Sequence, residues 1–559
     1  MKREKTVWYR HQDPSTWQPE IPECSMYDLL AQTADRHPDL YALYFEGRRT
    51  RYRELIQQIE SAARAFQAMG VKKGDIVSVM APNMPQVVYT LYALNRIGAV
   101  ANMLHPLLSA NEIHRIIRHT GSRLLVVLDQ LYEKAESIPW ESAEKPCVIL
   151  LRVSDALPTA KSILYRCKEK HYTESDNLLY WRTALRQAAH LALQPVSVAA
   201  GDTAVILYSS GTTGTPKGAM LSNLNFNALA LQSYDSLGIN DITGMQVLSI
   251  LPLFHGAGLG VCLHATLCYG MQVYLVPIFN LNKCVKLIFK NKIEHIYGVP
   301  AFFDGIARSK EMETQSCQFI RAMGSCGDKL PDRTRDRING YLKQSGSDVT
   351  ITNGYGLTET TAGCCFDPYF QKKRGSSGIM LPDMHFKIVI PGTQTEVPTG
   401  EVGELCIAGP TVMQGYYKNE AATNKVLQLH KDGKLWFHSG DAFSADEDGY
   451  LYYRQRLDRM FIVSGCNVVP SDIEEEILKT SGVAQCCVVG KKAPVVGHRI
   501  VAYLQLQPNV SEAEVLAAVQ LRCKQNLSEN AQPGQYIVLP EFPLTRMKKT
   551  DYKALEKMQ

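Results

Sequence analysis

The chain has 559 residues, of which 45% are apolar and 21% charged. That length exceeds one hydrophobic core and predicts several domains or subdomains, while the composition excludes long disorder. A net charge of +5 without a long basic run leaves no nucleic-acid footprint, and no apolar stretch is long enough to span a bilayer.

The fifteen cysteines form no CxxC pair and no Cys/His spacing suited to zinc. They read as reduced thiols in apolar surroundings, as at Cys406 and Cys487. The first ten residues carry charge without a following apolar core, so no secretory signal is predicted and the expected compartment is a cytoplasmic one.

In chain order, the first helical pattern covers Met26–His37, where Met26, Leu29, Leu30 and Ala34 recur at helical spacing, and a second covers Tyr52–Met69. Asp75–Met80 reads as a buried strand, Met84–Ile97 as a helix and Leu124–Leu128 as another strand. This alternation predicts an α/β fold with parallel-rich sheets covered by helices. Residues 153–185 interrupt it with Pro158, Lys161, Arg166, Lys168 and Lys170. They read as a surface excursion, either a solvated face or a peripheral membrane contact.

Ala204–Tyr208 is a short buried strand by pattern. The loop after it is rich in glycine, serine and threonine, and Ser222 then caps a helix over Asn223–Gln232. From about 385 the texture turns to glycine, proline and β-prone residues, predicting a β-rich subdomain over about 385–456. The charged run Arg454–Arg459 sets the expected boundary between a large N-terminal domain, 1–456, and a small α+β domain, 457–559. Ser471 and Glu474 have the spacing of a capping box. Ile473, Ile477 and Leu478 follow on one face, and Gly482 stops the helix.

The segment Tyr208-Ser-Ser-Gly-Thr-Thr-Gly-Thr-Pro-Lys-Gly218 carries the strongest chemical signal. Glycines let backbone N–H groups approach a polyphosphate, and hydroxyls add donors. It is not a Walker loop, because that motif ends in Gly-Lys-Ser/Thr, and here Pro216 removes a donor before Lys217 and Gly218.

This loop resembles the signature loop of the adenylate-forming superfamily, which includes acyl-CoA synthetases, peptide synthetase adenylation domains and beetle luciferases. Further motifs resemble it in order: Leu251-Pro-Leu-Phe-His-Gly-Ala-Gly258, Met323-Gly-Ser-Cys-Gly-Asp-Lys-Leu-Pro331, Asn353-Gly-Tyr-Gly-Leu-Thr-Glu359, Met413-Gln-Gly-Tyr-Tyr417, Trp436-Phe-His-Ser-Gly-Asp441, Arg456-Leu-Asp458, Val463-Ser-Gly-Cys-Asn-Val468 and Pro543-Leu-Thr-Arg-Met-Lys-Lys-Thr-Asp551. Within the family the chain looks most like fatty-acid and related acyl-CoA synthetases.

The resemblance implies a two-step reaction with ATP, Mg²⁺ and coenzyme A. A carboxylic acid attacks the α-phosphate of ATP to give acyl-AMP and pyrophosphate, and the thiol of coenzyme A then displaces AMP. The first step needs charge neutralisation and in-line positioning, since the attacking carboxylate is already an anion. By the same resemblance Ser209, Ser210, Gly211, Thr212, Thr213, Gly214 and Lys217 hold the β- and γ-phosphates. Thr358 contacts the α-phosphate, and Glu359 binds the metal. Gly327, Asp328, Lys329, Asn353, Gly354, Tyr355 and Gly356 form the adenine side.

Asp441 accepts from the ribose hydroxyls, with Arg456 beside it. Lys549 is the expected catalytic lysine, placed by counting from Pro543 and Thr545 and back from Asp551. Phe254, His255 and Gly256 line the acyl side, Asp458 is the hinge, and Ser464 and Gly465 flank the coenzyme A path. Two positions depart from the family pattern: Gln455 and Lys548 stand where it usually has glycine. Gly256, Ala257 and Gly258 leave room, which hints at a bulky or long acyl group. A loader of a separate carrier protein and a non-catalytic nucleotide-binding protein are the rival readings. A monomer and a homodimer fit equally.

Overall fold

The computed structural model describes residues 21–558 apart from 142–144, 168, 210–216, 236–240, 369–371, 464–465, 494–496 and 545–549. The chain divides into two compact units, Met1–His385 with Ala408–Phe437, and Phe386–Ile407 with His438–Gln559.

The first unit is the predicted α/β layer structure. One sheet places six strands in parallel, in the order Thr352–Tyr355, Ala322–Ser325, His295–Gly298, Gln246–Ser249, Gln272–Leu275 and Tyr41–Phe45. A second sheet has a parallel body built on Ile76–Met80, flanked by Val100–Met103 and Leu124–Leu128. Leu124–Leu128 is buried at every position, as its unbroken apolar run requires of a strand covered on both faces. The first helix, Met26–Arg36, is capped by Ser25, whose hydroxyl accepts from Asp28 N while Asp28 reaches back. The second, Tyr52–Ala68, turns Leu55, Ile59, Ala62 and Phe66 into the core.

Residues 153–185 are more than a surface excursion. Leu178–Tyr180 adds to the second sheet in parallel with Cys147–Leu151, and Trp181 is buried. The buried Glu169 carboxylate accepts from the backbone N–H and the hydroxyl of Ser154. A short helix, Thr159–Arg166, leaves Ile163 and Leu164 exposed. Lys168 lies outside the described residues.

The predicted strand–loop–helix passage contains an additional strand. Thr203–Ser209 is followed by Lys217–Ser222, which returns antiparallel to it, with Ser209 opposite Lys217 and Tyr208 opposite Gly218. Only then does the helix Asn223–Asp235 begin. Ser222 takes the capping position as expected: its hydroxyl accepts from Asn225 N, and its own N–H donates to Asn225 Oδ1.

In the second unit His385–Val389, Gly403–Ala408 and Leu435–Ala445 lie side by side, with Leu451–Arg456 antiparallel to the last. A further sheet joins the long hairpin Val483–Ala493 and Gly497–Leu506 to Gln535–Val538 in parallel. The helix Pro470–Leu478 packs on it through Ile473 and Ile477, whereas Leu478 is exposed rather than on the buried face. The expected capping box does not form. Pro470 starts the helix two residues early, so Ser471 falls inside the first turn. Glu474 accepts instead from Val488 N and pairs with Arg459 at 2.6 Å.

Among the described residues the cysteines are free, and burial pushes thiols such as Cys406 and Cys487 up. No described helix is long and apolar enough to cross a membrane.

Candidate active site

The first unit builds a charged line at the mouth of the Gly/Ser/Thr loop. Ser210, Gly211, Thr212, Thr213 and Gly214 lie outside the described residues, which resume at Lys217 after the strand Thr203–Ser209. Lys217 opens the return strand. Its Nζ lies 5.2 Å from the centre of the Tyr416 ring, a cation–π contact that holds the ammonium without neutralising it. Tyr416 OH donates to Glu359 Oε1 at 2.7 Å. Both residues are buried.

The two-residue strand Gly415–Tyr416 explains this placement, because it pairs antiparallel with the return strand, Tyr416 opposite Ala219. The backbone of Glu359 is fixed as well, accepting from Met413 N at 2.8 Å. Tyr416 was part of a recognised motif but had no assigned role, and its signal lay in pairing rather than in residue type.

Thr358 and Glu359 sit on a short turn of 3₁₀ helix, Thr358–Thr360. The next residue, Thr361, has φ of +67°, a region costly for a β-branched side chain. Thr361 is locked there by its hydroxyl, which donates to Thr411 O at 2.7 Å. Two glycines pinch the turn. A Cβ on Gly356 would lie 1.6 Å from Ala362 O, and one on Gly256 would lie 1.9 Å from Thr361 O. Gly256 therefore seats the Phe254–His255 segment against the turn that carries Glu359.

The reading that Gly256, Ala257 and Gly258 leave room is corrected by the same contacts. A Cβ on Gly258 would meet Pro252 O at 2.1 Å, so backbone fills the space. The chain continues as a π-helix over Ala257–Ala265, a form that recurs at functional sites. Phe254 and His255 join His105 in a ring cluster, with centroids 4.5 Å apart for His105 and Phe254, and 4.9 Å for Phe254 and His255. Burial first, then the charge of Lys134, lowers the His105 pKa, so a neutral imidazole faces the acyl-side segment.

Of the residues expected on the adenine side, Asn353, Gly354 and Tyr355 occupy the strand Thr352–Tyr355 at the end of the parallel run. The backbone of Asn353 is paired both ways with Asp367: Asn353 N donates to Asp367 Oδ2, and Asn353 O accepts from Asp367 N. Burial pushes the Asp367 carboxyl up. Asn353 Oδ1 is buried without a hydrogen-bond partner. Gly327, Asp328 and Lys329 follow the adjacent strand Ala322–Ser325. The turn there has φ of +84° at Gly327, and Lys329 N donates to Asp328 Oδ1.

The second unit brings Asp441 and Arg456 opposite one another on antiparallel strands, with Nη1 to Oδ1 at 3.3 Å. Asp441 is 2% exposed. Arg456 also lies 3.8 Å from Asp458, so the expected hinge residue faces the expected ribose-side arginine. Ser439 is occupied structurally, donating to Leu405 O and accepting from Asp441 N. Gln455 is buried, and its Oε1 accepts from Ser471 N at 3.3 Å. The departure from glycine thus fastens the end of the strand to the start of the helix Pro470–Leu478.

Arg459 stacks on Tyr552, 3.6 Å from the ring centre. Lys548 and Lys549 lie outside the described residues, as do Ser464 and Gly465. The ends of the lysine loop are closed on each other: Leu544 bridges Thr550, and Asp551 N donates to Pro543 O at 2.7 Å.

The arrangement fits a nucleotide and a hard cation. Asn353 Oδ1 is an acceptor for an amino group such as adenine offers. Glu359 has Oε1 fixed by Tyr416, and its Oε2 has no hydrogen-bond partner among the described residues. Glu359 is 7% exposed as a residue, and a carboxylate with one oxygen left over suits Mg²⁺. An unpartnered buried acceptor at Asn353 and a buried carboxylate at Glu359, beside Lys217, are compatible with the adenylate-forming class that the motifs resemble.

The sequence comparisons agree. The AMP-binding enzyme family model matches residues 30–417, and the model of the AMP-binding enzyme C-terminal domain matches 472–549. A long-chain-fatty-acid–CoA ligase of Bacillus subtilis (strain 168) is 28% identical over 95% of this chain and 93% of its own. A probable 4-coumarate–CoA ligase of Dictyostelium discoideum is 31% identical over 82% of this chain and 81% of its own. The solved o-succinylbenzoate CoA synthetase of Bacillus subtilis, in complex with its acyl-adenylate intermediate, has a TM-score of 0.75 at 25% identity, covering 96% of this chain and 99% of that one. The chain belongs to the AMP-binding enzyme family and is an ATP-dependent acid–thiol ligase.

Proposed function

We propose that this ligase activates a long-chain fatty acid and passes it to coenzyme A. The near end-to-end match to long-chain-fatty-acid–CoA ligases supports the acid. The observation that carries the chemistry is the line Lys217–Tyr416–Glu359 at the loop mouth.

In the adenylation step a carboxylate oxygen of the acid attacks the α-phosphorus of ATP, and the bond to the bridging oxygen of pyrophosphate breaks. No general base is required. Lys217 and the loop hydroxyls and amides of Ser209, Ser210, Gly211, Thr212, Thr213 and Gly214 take the β- and γ-phosphates. Thr358 contacts the α-phosphate. Mg²⁺, when bound, supplies positive charge beside the leaving pyrophosphate, and Glu359 is its protein ligand. Asn353 orients the base, with Gly327, Asp328, Lys329, Gly354, Tyr355 and Gly356 around it. Asp441 accepts from the ribose hydroxyls, releasing part of its hold on Arg456. Lys549 places its cation between the attacking carboxylate and the phosphate as charge shifts.

In the second step the thiol of coenzyme A gives up its proton to solvent, its sulfur forms the thioester bond at the acyl carbon, and AMP leaves with the electron pair of the broken acyl–oxygen bond. Phe254, His255 and Gly256 line the acyl side, and Ser464 and Gly465 flank the thiol path. The small domain beginning near 457 turns about Asp458 between the two steps.

Pyrophosphate release and acyl-CoA formation across long-chain, medium-chain, aromatic and dicarboxylic acids test the reading. The expected result is strongest turnover with a long-chain acid and thioester formation on free coenzyme A. Preferred turnover of an aromatic acid, or transfer only to a carrier protein, would replace it.

A further inference from the structure

A cavity of about 170 Å³ lies in the first unit on elements that carry none of the residues assigned to adenylation. It is walled by the strand pair Tyr41–Phe45 and Arg48–Arg51, the first turns of the helix Pro85–Arg96, the 3₁₀ turn Val153–Ala156 and the helix Trp181–Gln187. The rings of Phe45 and Trp181, both buried, supply flat apolar walls. Trp181 is held edge-on to Phe66, with centroids 6.4 Å apart.

Two guanidinium groups stand at the same cavity. Arg182 is fixed by Asp155, Nε to Oδ1 at 2.7 Å. Arg48 donates to the backbone oxygen of Asp155 at 3.4 Å and forms no ion pair among the described residues. The helix Pro85–Arg96 adds an N-terminus with no side-chain cap, which favours negative charge nearby.

Gln86 lines the cavity as well. It is 2% exposed, and its Nε2 donates to Arg152 O at 3.0 Å. Because that neighbour is a carbonyl, the nitrogen of the amide must face it and the oxygen must face away. Oε1 is buried and has no hydrogen-bond partner. A buried acceptor without a donor costs about 1–3 kcal/mol, and a ligand hydroxyl or N–H would remove that cost.

We propose that this cavity binds a single-ring aromatic carboxylate carrying a hydrogen-bond donor. The ring lies between Phe45 and Trp181, the carboxylate on Arg48 and Arg182, and the donor on Gln86 Oε1. The volume agrees, since a cavity of about 150 Å³ accepts benzene. The inference stands apart from the adenylation chemistry and does not depend on which acid is activated.

Calorimetric titration of the full chain with 4-hydroxybenzoate, benzoate and phenol, without ATP, tests it. The expected result is one site preferring 4-hydroxybenzoate over benzoate and over phenol, each by about tenfold. Arg48→Ala, at an exposed position, weakens 4-hydroxybenzoate about tenfold or more. Gln86→Leu abolishes its preference over benzoate while benzoate affinity stays. Absence of binding, or affinities unchanged in Arg48→Ala, overturns the proposal, the latter by placing the acid in another pocket.

Discussion

Two antiparallel strand pairs, one in each unit, carry charged groups, and they hold charge differently. In the pair Thr203–Ser209 and Lys217–Ser222, the cation of Lys217 rests on an aromatic ring. In the pair Leu435–Ala445 and Leu451–Arg456, the cation of Arg456 is matched to Asp441 and approaches Asp458. A ring leaves positive charge for a phosphate, whereas a carboxylate partner consumes it. The first pair is therefore prepared for an anion. The second, in the proposed function, would meet ribose hydroxyls that replace an internal partner, next to the proposed hinge Asp458.

The largest expected effect sharpens the contrast from outside both pairs. Lys549→Ala should lower adenylation by about 10²–10³-fold while ATP binding stays near wild type, read by pyrophosphate release and by nucleotide titration. Asp441→Ala should raise the KM for ATP by about 10–100-fold, with kcat changed less, because ribose contacts are lost and Arg456 is left without its nearest carboxylate. If kcat fell and KM stayed, the division between the pairs would fail. Tyr416→Phe should cost about 1 kcal/mol, a five- to tenfold loss of activity. Added Mg²⁺ should recover much of it, since the ring under Lys217 remains.

The smallest effect concerns the core behind the acyl-side segment. Burial lowers the pKa of His264 to about 3, and the ring contacts Tyr92 OH and Asn227 Oδ1. The unfolded chain binds that proton near pH 6.5 and the folded chain does not. This residue's contribution is thus full above pH 6.5 and declines as pH falls toward 3, by at most about 1.4 kcal/mol per pH unit. Melting temperature against pH should fall less steeply in His264→Gln.

Much of the architecture was legible because its signals are local. Leu124–Leu128 is an unbroken apolar run, and Met26–Arg36 shows helical spacing beside its own cap. The return strand Lys217–Ser222 was not legible, because its far partner is Gly415–Tyr416. The same pairing hid the role of Tyr416 against Glu359. Ser471 and Glu474 had capping-box spacing, but Pro470 and the distant Val488 and Arg459 claimed the geometry. Gly256 and Gly258 looked like open space because sequence carries no record of the backbone oxygens that fill it. The expectation of a polyphosphate at the loop came from its glycines, hydroxyls and lysine, and of these the described residues include Ser209 and Lys217, at the facing ends of the two strands.

The central claim is that Glu359, held by Tyr416 beside Lys217, serves adenylation of a carboxylic acid. ATP–pyrophosphate exchange driven by a long-chain fatty acid, without coenzyme A, measures that step alone. We expect exchange in the wild type and a loss of about 10²-fold or more in Glu359→Gln. Undiminished exchange in Glu359→Gln, or none in the wild type with any acid, would contradict the account.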